Sequence, residues 1–195
     1  MRKKRTKVIF IFGPMASGKY TIGRRLSKIT GYPLWHNHVF TKTATALMGG
    51  KKYSIHDKEF YNQIGKLRTF CLQNIADLHE GIIMTGVYAP GSGDRYVSRL
   101  MEINQKGCLD YFFVQLKCPL SKLLDRVTNS SRKRFDRYKI RTKKELISSL
   151  ARRDILANLP VKCLVIDTGK TTIVESADRI LRYSKRKRNS AEPLP

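Results

Sequence analysis

The chain has 195 residues, enough for one domain with a single substantial core. Its 39 lysine and arginine residues, against 15 aspartate and glutamate residues, give an extreme formal net charge of +24. No apolar stretch approaches the length of a membrane span, and the four scattered cysteines lack the C-x-x-C spacing of a zinc site and form no disulfide framework. We therefore expect a cytoplasmic protein with reduced thiols.

The first predicted elements are a buried strand, a glycine loop and an amphipathic helix. Val8–Phe12 is an apolar run, and Ile22 and Leu26 recur after the loop at helical spacing. The intervening Gly13-x-x-x-x-Gly18-Lys19 has the spacing of a P-loop, in which backbone N–H groups surround phosphate oxygens and the lysine adds a mobile charge. The predicted nucleotide-binding residues here are Gly13, Pro14, Met15, Ala16, Ser17, Gly18, Lys19, Tyr20 and Thr21.

The residue after the P-loop lysine departs from the common motif. Tyr20 stands where a serine or threonine usually holds Mg²⁺, and a phenol is too long for that role. Thr21, one residue later, is the candidate metal ligand. The order G-K-Y-T resembles the G-K-G-T loop of adenylate kinases and related nucleotide kinases, which implies an ion carried mainly by ATP phosphates and water.

Strands and helices alternate along the rest of the chain. The later predicted strands are Pro33–Asn37, Ile82–Val87, Tyr111–Leu116 and Cys163–Ile166. The later predicted helices are residues 41–50, Asp57–Leu78, Asp94–Asn104, 119–127, and two that begin at the capping boxes Thr142–Glu145 and Thr172–Glu175. This alternation predicts an α/β fold with a parallel sheet covered on both faces.

The positive charge is unevenly distributed. Residues 1–56 contain twelve lysines and arginines and no aspartate or glutamate, a field around the P-loop that favours anionic ligands such as ATP. Two basic blocks, Arg2–Arg5 and Lys185–Arg188, are either contacts to a nucleic-acid backbone or solvated ends that only improve solubility. Because the apolar run after residues 2–5 ends in the P-loop, we expect neither a signal peptide nor a transit peptide.

The P-loop and the order of elements resemble the nucleoside monophosphate kinase and shikimate kinase-like group of P-loop kinases, over about residues 7–181. The resemblance implies a three-layer P-loop NTPase fold, with a five-stranded parallel sheet, helices on both faces and a small lid at about residues 128–141. It implies that Arg126 lies beside the nucleotide, and that Arg132 and Arg134 reach the transferring phosphoryl group. A solvated basic loop is the alternative interpretation of this segment.

The same resemblance implies that Asp167, Thr168 and Gly169 form an adenine-contacting loop, although ordinary turn chemistry explains these residues equally well. It also implies that the acceptor site follows the second strand, where this chain has His36, Asn37 and His38. If the strand continues that far, alternation places His36 and His38 on the same side. Structural histidines, or a metal site without a visible third ligand, are the alternatives.

Carboxylates are missing at two positions where such kinases usually have them. None follows the second strand, so either a histidine such as His38 accepts the hydroxyl proton or the acceptor is an anionic phosphate that needs no base. The third strand ends in Thr85-Gly86, again without a carboxylate, and Asp94 is a candidate to compensate. Arg68, on the long helix, is a candidate anion ligand for the acceptor.

These features predict an ATP- and Mg²⁺-dependent phosphotransferase of a small, anionic metabolite. The predicted catalytic residues are Lys19, Arg126, Arg132 and His38, and the predicted substrate-binding residues are His36, Asn37, His38 and Arg68. Nucleoside monophosphates are the nearest alternative acceptors. A nucleic-acid 5′-hydroxyl kinase, or a non-catalytic module that binds nucleic acid under ATP control, remains open. We expect one domain over residues 1–184 and a basic, disordered tail over 185–195.

Overall fold

A computed structural model describes residues 5–50, 58–105, 109–130, 140–152 and 154–185. Five strands form one parallel sheet in the order β2-β3-β1-β4-β5. The strands are β1 Thr6–Phe12, β2 Leu34–Trp35, β3 Gly81–Gly86, β4 Leu109–Lys117 and β5 Leu164–Asp167. The helices are α1 Lys19–Thr30, α2 Asn37–Leu47, α3 Lys58–Asn74, α4 Ser92–Gln105, α5 Leu120–Val127, α6 Lys143–Arg152 and α7 Ile173–Lys185.

The central strand β1 is buried on both sides, which explains why it reads as a continuous apolar run rather than an alternating one. Phe10 and Phe12 face a core shared with α2, α3 and α4. Ile9 and Ile11 face the opposite core, shared with α1 and α7. The predicted three-layer P-loop NTPase architecture is therefore confirmed.

Two predicted boundaries are wrong for a local reason. The second strand pairs with β3 only through Leu34 and Trp35, because the chain turns at His36 and begins α2 at Asn37. The long helix ends at Asn74, and residues 76–78 form a separate 3-10 turn. Thr6 accounts for this second change, since its hydroxyl donates hydrogen bonds to the carbonyls of Ala76 (3.1 Å) and His79 (2.9 Å) and ties the turn to the sheet.

Several remaining predictions fall at the margins of the described residues. Lys185, predicted to begin the tail, is the last residue of α7, and residues 186–195 lie outside the described part of the chain. Cys71, Cys118 and Cys163 form no disulfide with one another, and Cys108 lies outside the described part. No helix within the described ranges is both long and apolar enough to cross a membrane.

Both predicted capping boxes are present. The Thr142 hydroxyl accepts the Glu145 N–H at 3.1 Å, and the Glu145 carboxylate accepts the Thr142 N–H at 3.1 Å. Thr172 and Glu175 repeat the arrangement before α7. Hydrogen bonds from the backbone N–H groups of Arg141 and Thr142 lower the pKa of Glu145, and the corresponding bond from Thr172 lowers the pKa of Glu175.

These caps predict an acid-dependent loss of stability. A lowered pKa in the folded state means that the stabilisation is complete above the unfolded glutamate pKa of about 4.3, and is lost as the pH falls through the folded values. The Glu145→Gln/Glu175→Gln variant keeps hydrogen-bond acceptors that do not titrate. The urea concentration at the unfolding midpoint should therefore be higher for the wild type than for the variant at neutral pH, and the two midpoints should converge near pH 3. A difference that stays constant over this range would contradict the prediction.

Candidate active site

The loop between β1 and α1 leaves its backbone amides open to an anion. Gly13 has φ +153°, and a Cβ there would lie 2.7 Å from the carbonyl oxygen of Leu116. Ala16 and Gly18 also have positive φ angles, of 65° and 92°. Gly18 is the N-cap of α1 and offers no side chain to the first N–H groups, and the first turn contains no acidic residue. These amides and the positive end of the helix dipole therefore favour a phosphate.

Lys19 closes over this loop. Its Nζ donates hydrogen bonds to the carbonyl oxygens of Gly13 (2.8 Å) and Pro14 (2.6 Å). The hydroxyl of Ser17 is completely buried and has no hydrogen-bond partner among the described residues. A buried hydroxyl is costly without a partner, so the loop fits a ligand that supplies acceptor oxygens. The donor set of amides, ammonium and hydroxyl suits the phosphates of a nucleoside triphosphate.

Tyr20 and Thr21 take different positions on the first turn of α1. The Tyr20 ring lies against the His36 imidazole, with ring centroids 5.0 Å apart. Thr21 is exposed, and no group of three or more His, Cys, Asp or Glu side chains suited to a metal occurs among the residues that the structure describes. The role of Thr21 as a metal ligand, and binding of the ion chiefly by phosphates and water, stay predictions.

The segment after β5 is linked to Arg126. The Arg126 guanidinium donates to the Thr168 carbonyl at 2.7 Å and to the Thr168 Oγ1 at 3.2 Å, and Thr168 Oγ1 donates to the carbonyl of Lys117. The Asp167 carboxylate accepts the Gly169 N–H at 2.8 Å, which holds a tight turn. Arg126 thus braces this segment from the end of α5, and its contacts here are to protein atoms.

A cavity of about 290 Å³ lies beside this segment and the P-loop. Its lining includes Pro14 of the P-loop, Cys118 and Pro119 after β4, and Asp167 at the end of β5. The P-loop and the end of β5 thus each contribute one lining residue, whereas Arg126 does not line the cavity and contacts Thr168 next to Asp167. Binding of a nucleoside in this cavity stays a prediction.

The histidine pair after β2 occupies a helix start rather than a strand. His36 is the N-cap of α2 and His38 lies in its first turn, so the strand does not continue that far and the condition for alternation is not met. Their rings are nevertheless close, with centroids 6.0 Å apart. The Asn37 N–H donates to the Thr85 hydroxyl at 3.3 Å, which ties the start of α2 to the end of β3.

Arg68 lies between two aromatic rings. Its guanidinium carbon is 5.4 Å from the ring centroid of Phe40 on α2 and 5.7 Å from that of Tyr96 on α4. The Arg68 Nε is buried and has no hydrogen-bond partner in the described part of the chain. Burial raises the pKa of the Tyr96 phenol, and the Arg68 charge opposes that rise. The rings hold the cation in place, and neither of them supplies an acceptor to its Nε–H.

Comparison with known proteins shows which proteins this chain resembles. A shikimate kinase of Nitrosococcus oceani is 25% identical over 186 residues, which cover 94% of this chain and 90% of the relative. The fold is shared with a gluconokinase from Sinorhizobium meliloti 1021 (TM-score 0.58, 18% identity, 94% and 93% of the two chains). It is also shared with a shikimate kinase from Acinetobacter baumannii in complex with shikimate (TM-score 0.54, 21% identity, 92% and 93%). No protein-family model matches the chain.

These likenesses support a P-loop kinase similar to the shikimate kinase-like group. The chain is an ATP-dependent kinase whose acceptor these likenesses do not establish. Two of its predicted phosphate-binding arginines, Arg132 and Arg134, and most of the predicted lid lie outside the described residues. Their roles, and that of Arg126 in catalysis, stay predictions.

The positions where the kinase lacks carboxylates are occupied by groups with structural contacts. Thr85, at the end of β3, is buried and accepts the hydrogen bond from Asn37. Asp94 accepts hydrogen bonds from the Tyr88 hydroxyl at 2.6 Å and from the Gly91 N–H at 2.7 Å. These bonds lower the pKa of Asp94, and burial, together with Asp94, raises the pKa of Tyr88 to about 12. Asp94 therefore stabilises the start of α4, and its contacts do not support the predicted compensating role.

Sequence reasoning missed the aromatic side chains around the candidate acceptor site of the kinase. Phe40 and Tyr96 read as ordinary apolar positions of two amphipathic helices, and only the packing of α2, α3 and α4 brings them to Arg68. The sequence shows that Thr85 replaces a carboxylate at the end of β3, but it does not reveal the hydrogen bond that Thr85 accepts from the start of α2. A signal for Tyr20 was available, because an aromatic residue after the P-loop lysine must pack beside the loop.

Proposed function

We propose that this kinase transfers the terminal phosphoryl group of ATP to a hydroxyl group of a small anionic metabolite. The observation that carries the proposal is the Arg68 guanidinium, which is held between Phe40 and Tyr96 while its buried Nε–H has no acceptor among the described residues. A positioned guanidinium of this kind suits a carboxylate or phosphate, which it can bind through two parallel hydrogen bonds. Two of the similar proteins, the shikimate kinase and the gluconokinase, are named after hydroxy acids, which supports the same class of acceptor for this chain.

The residues of the P-loop would act on the phosphates. The backbone amides after Gly13 and the Lys19 ammonium bind the oxygens, and Lys19 exchanges its loop carbonyl partners for them. Arg126 positions the nucleoside through Thr168. When bound, Mg²⁺-ATP supplies the phosphoryl group and a metal that neutralises its oxygens. The location of this reaction in the cytoplasm stays a prediction.

The acceptor would lie between the P-loop and the start of α2. Its hydroxyl oxygen forms a bond to the terminal phosphorus while the bond from that phosphorus to the bridging oxygen breaks, and ADP leaves with the electron pair. The hydroxyl proton passes to His38, which lies in the first turn of α2 beside His36. Holding the acceptor anion at Arg68 aligns the hydroxyl for this transfer.

The acceptor class is tested by ADP release from purified protein and Mg²⁺-ATP against a panel of acceptors. The panel contains hydroxy acids (shikimate and sugar acids), nucleoside monophosphates, uncharged or cationic aminoglycoside-type alcohols and 5′-hydroxyl oligonucleotides. Stimulation by anionic metabolites would support the proposal. Stimulation by nucleoside monophosphates alone would establish the nearest alternative, and stimulation by oligonucleotides alone would overturn the small-molecule acceptor.

Replacing Arg68 should weaken acceptor binding selectively. With the stimulating acceptor, Arg68→Leu should raise the acceptor KM by about tenfold to a hundredfold, because hydrogen bonds to charged groups contribute roughly 1.5 to 3 kcal/mol. The KM for ATP should change less than about twofold. Arg68→Lys keeps the charge without the planar fork and should give an intermediate acceptor KM.

A matched control for Arg68 lies on the neighbouring helix. Arg99 on α4 is exposed, and Arg99→Leu removes the same charge from the protein surface. Thermal unfolding of both variants separates loss of packing from loss of binding. An equal rise of the acceptor KM in both variants, or an unchanged KM in a folded Arg68→Leu protein, would contradict the assignment of Arg68.

A further inference from the structure

Besides the residues around the P-loop, a second group of positively charged residues lies on α1 and α7, away from the candidate active site. These helices pack against each other on the same face of the sheet. Each follows the carboxyl end of a strand and runs back along it, so both C-terminal ends reach the amino edge of the sheet. The P-loop lies at the carboxyl edge. Lys28 stands nine residues after Lys19, which corresponds to about 14 Å along α1.

The C-terminal halves of the two helices carry only positive charge. Residues 24–30 and 179–185 contain no aspartate or glutamate. Five exposed cations in these segments form what we call the basic face: Arg25, Lys28, Arg179, Arg182 and Lys185. Arg24 is also exposed, but its guanidinium carbon lies 5.9 Å from the centre of the Tyr20 ring, beside the P-loop, so it is not part of this face. Within the described part of the chain, none of the five forms an ion pair with a carboxylate. By contrast, Arg5 at the same edge pairs with Asp110 at 2.8 Å.

Local helix chemistry explains only part of this pattern. Cations in the last turn of a helix are favoured by its dipole, which accounts for Lys28, Arg182 and Lys185. Arg25 and Arg179 lie before the last turn and gain little from it. Five cations on two adjacent parallel helices, without an ion-pair partner among the described residues, repel one another, and they lower their energy when a polyanion approaches.

The chemistry of the basic face distinguishes among polyanions. Single-stranded nucleic acid is usually bound with aromatic stacking, whereas Tyr183, the aromatic residue of these two segments, packs against the Phe112 ring. A lipid surface needs apolar groups that insert, and Ile29 is the only exposed apolar residue in the two segments. A duplex requires neither, because its phosphates form rows that rows of cations can neutralise.

We propose that the basic face binds the phosphate backbone of double-stranded nucleic acid, without reading its sequence, as a function separate from phosphoryl transfer. The face lies at the opposite edge of the sheet from the P-loop, so a bound duplex leaves the candidate active site open. The proposal does not depend on which acceptor the kinase uses.

The test compares two variants with the same change in net charge. The face variant is Arg25→Gln/Lys28→Gln/Arg179→Gln/Arg182→Gln, and the control variant is Lys66→Gln/Arg99→Gln/Lys143→Gln/Lys144→Gln, which neutralises four exposed cations elsewhere. The probe is a fluorescent RNA duplex of about 20 base pairs, titrated by anisotropy at salt concentrations from about 50 to 300 mM. ADP release and thermal unfolding are measured on both variants.

The wild type should bind with an affinity whose logarithm falls linearly with the logarithm of salt concentration. The face variant should reduce that slope by about 3 and weaken binding by about a hundredfold at 100 mM salt, while its ADP release and unfolding temperature stay unchanged. The control variant should retain most of the slope. Equal losses in the two variants would overturn the proposal in favour of diffuse charge. Tighter binding to phosphatidylserine vesicles than to the duplex would overturn it in favour of a lipid surface.

Discussion

Replacing Lys19 with alanine should reduce kcat by about a hundredfold to a thousandfold, the usual cost of removing one group that stabilises transition-state charge. In the structure, the Lys19 ammonium is held across the P-loop by the carbonyl oxygens of Gly13 and Pro14, at 2.8 and 2.6 Å. It therefore stands at the mouth of the loop, where the phosphates would enter. Charge that develops on the transferring phosphoryl group would have no other side-chain cation from the P-loop to neutralise it.

The variant should stay folded, because the two hydrogen bonds that it loses contribute only about 1 kcal/mol each. Lys66→Ala provides the matched control, since Lys66 is an exposed lysine on α3. Kinetics of ADP release with the stimulating acceptor, together with circular dichroism, would check both variants. A folded Lys19→Ala protein that retains wild-type kcat would refute the assigned role of this lysine, whichever acceptor is used.

Replacing Gly13 with alanine should lower the free energy of unfolding by about 2 to 4 kcal/mol and abolish nucleotide binding. The backbone at Gly13 has φ +153°, a conformation in which any residue with a side chain is strained. The new Cβ would also lie 2.7 Å from the Leu116 carbonyl oxygen and 3.0 Å from the Ser17 Oγ. Either the loop moves away from β4 or the strain remains, and in both cases the phosphate-binding amides lose their arrangement.

Gly65→Ala is the matched control, because the same chemical change there has the opposite effect. Gly65 lies within α3, and a Cβ at this position would meet no atom within 4 Å. Alanine favours a helix interior over glycine by roughly 0.5 to 1 kcal/mol, so this variant should be slightly more stable than the wild type. Thermal unfolding and ATP titration of the two variants check the pair. Equal unfolding temperatures would show that the close approach at Gly13 is relieved at no cost.

The features that were predictable from the sequence are those determined by near neighbours in the chain. The P-loop depends on the spacing of Gly13, Gly18 and Lys19, and its conformation follows from glycine dihedrals and the helix that begins beside it. The capping boxes at Thr142 and Thr172 each join residues three apart. The alternation of strands and helices likewise predicted a parallel sheet. Such interactions need only the local backbone, so a pattern of residue types reveals them.

The features that only the tertiary structure decided are those that join residues distant in the chain. Arg126 contacts Thr168 across 42 residues, and Asn37 contacts Thr85 across 48, so α2 begins where the sequence predicted more strand. Arg68 reads as one of many basic residues until α2 and α4 place Phe40 and Tyr96 against its guanidinium. The basic face exists because α1 and α7 pack side by side. Residue types and their spacing determine that this chain binds phosphate, but the packing of helices on the sheet determines where each remaining charge lies and what it can contact.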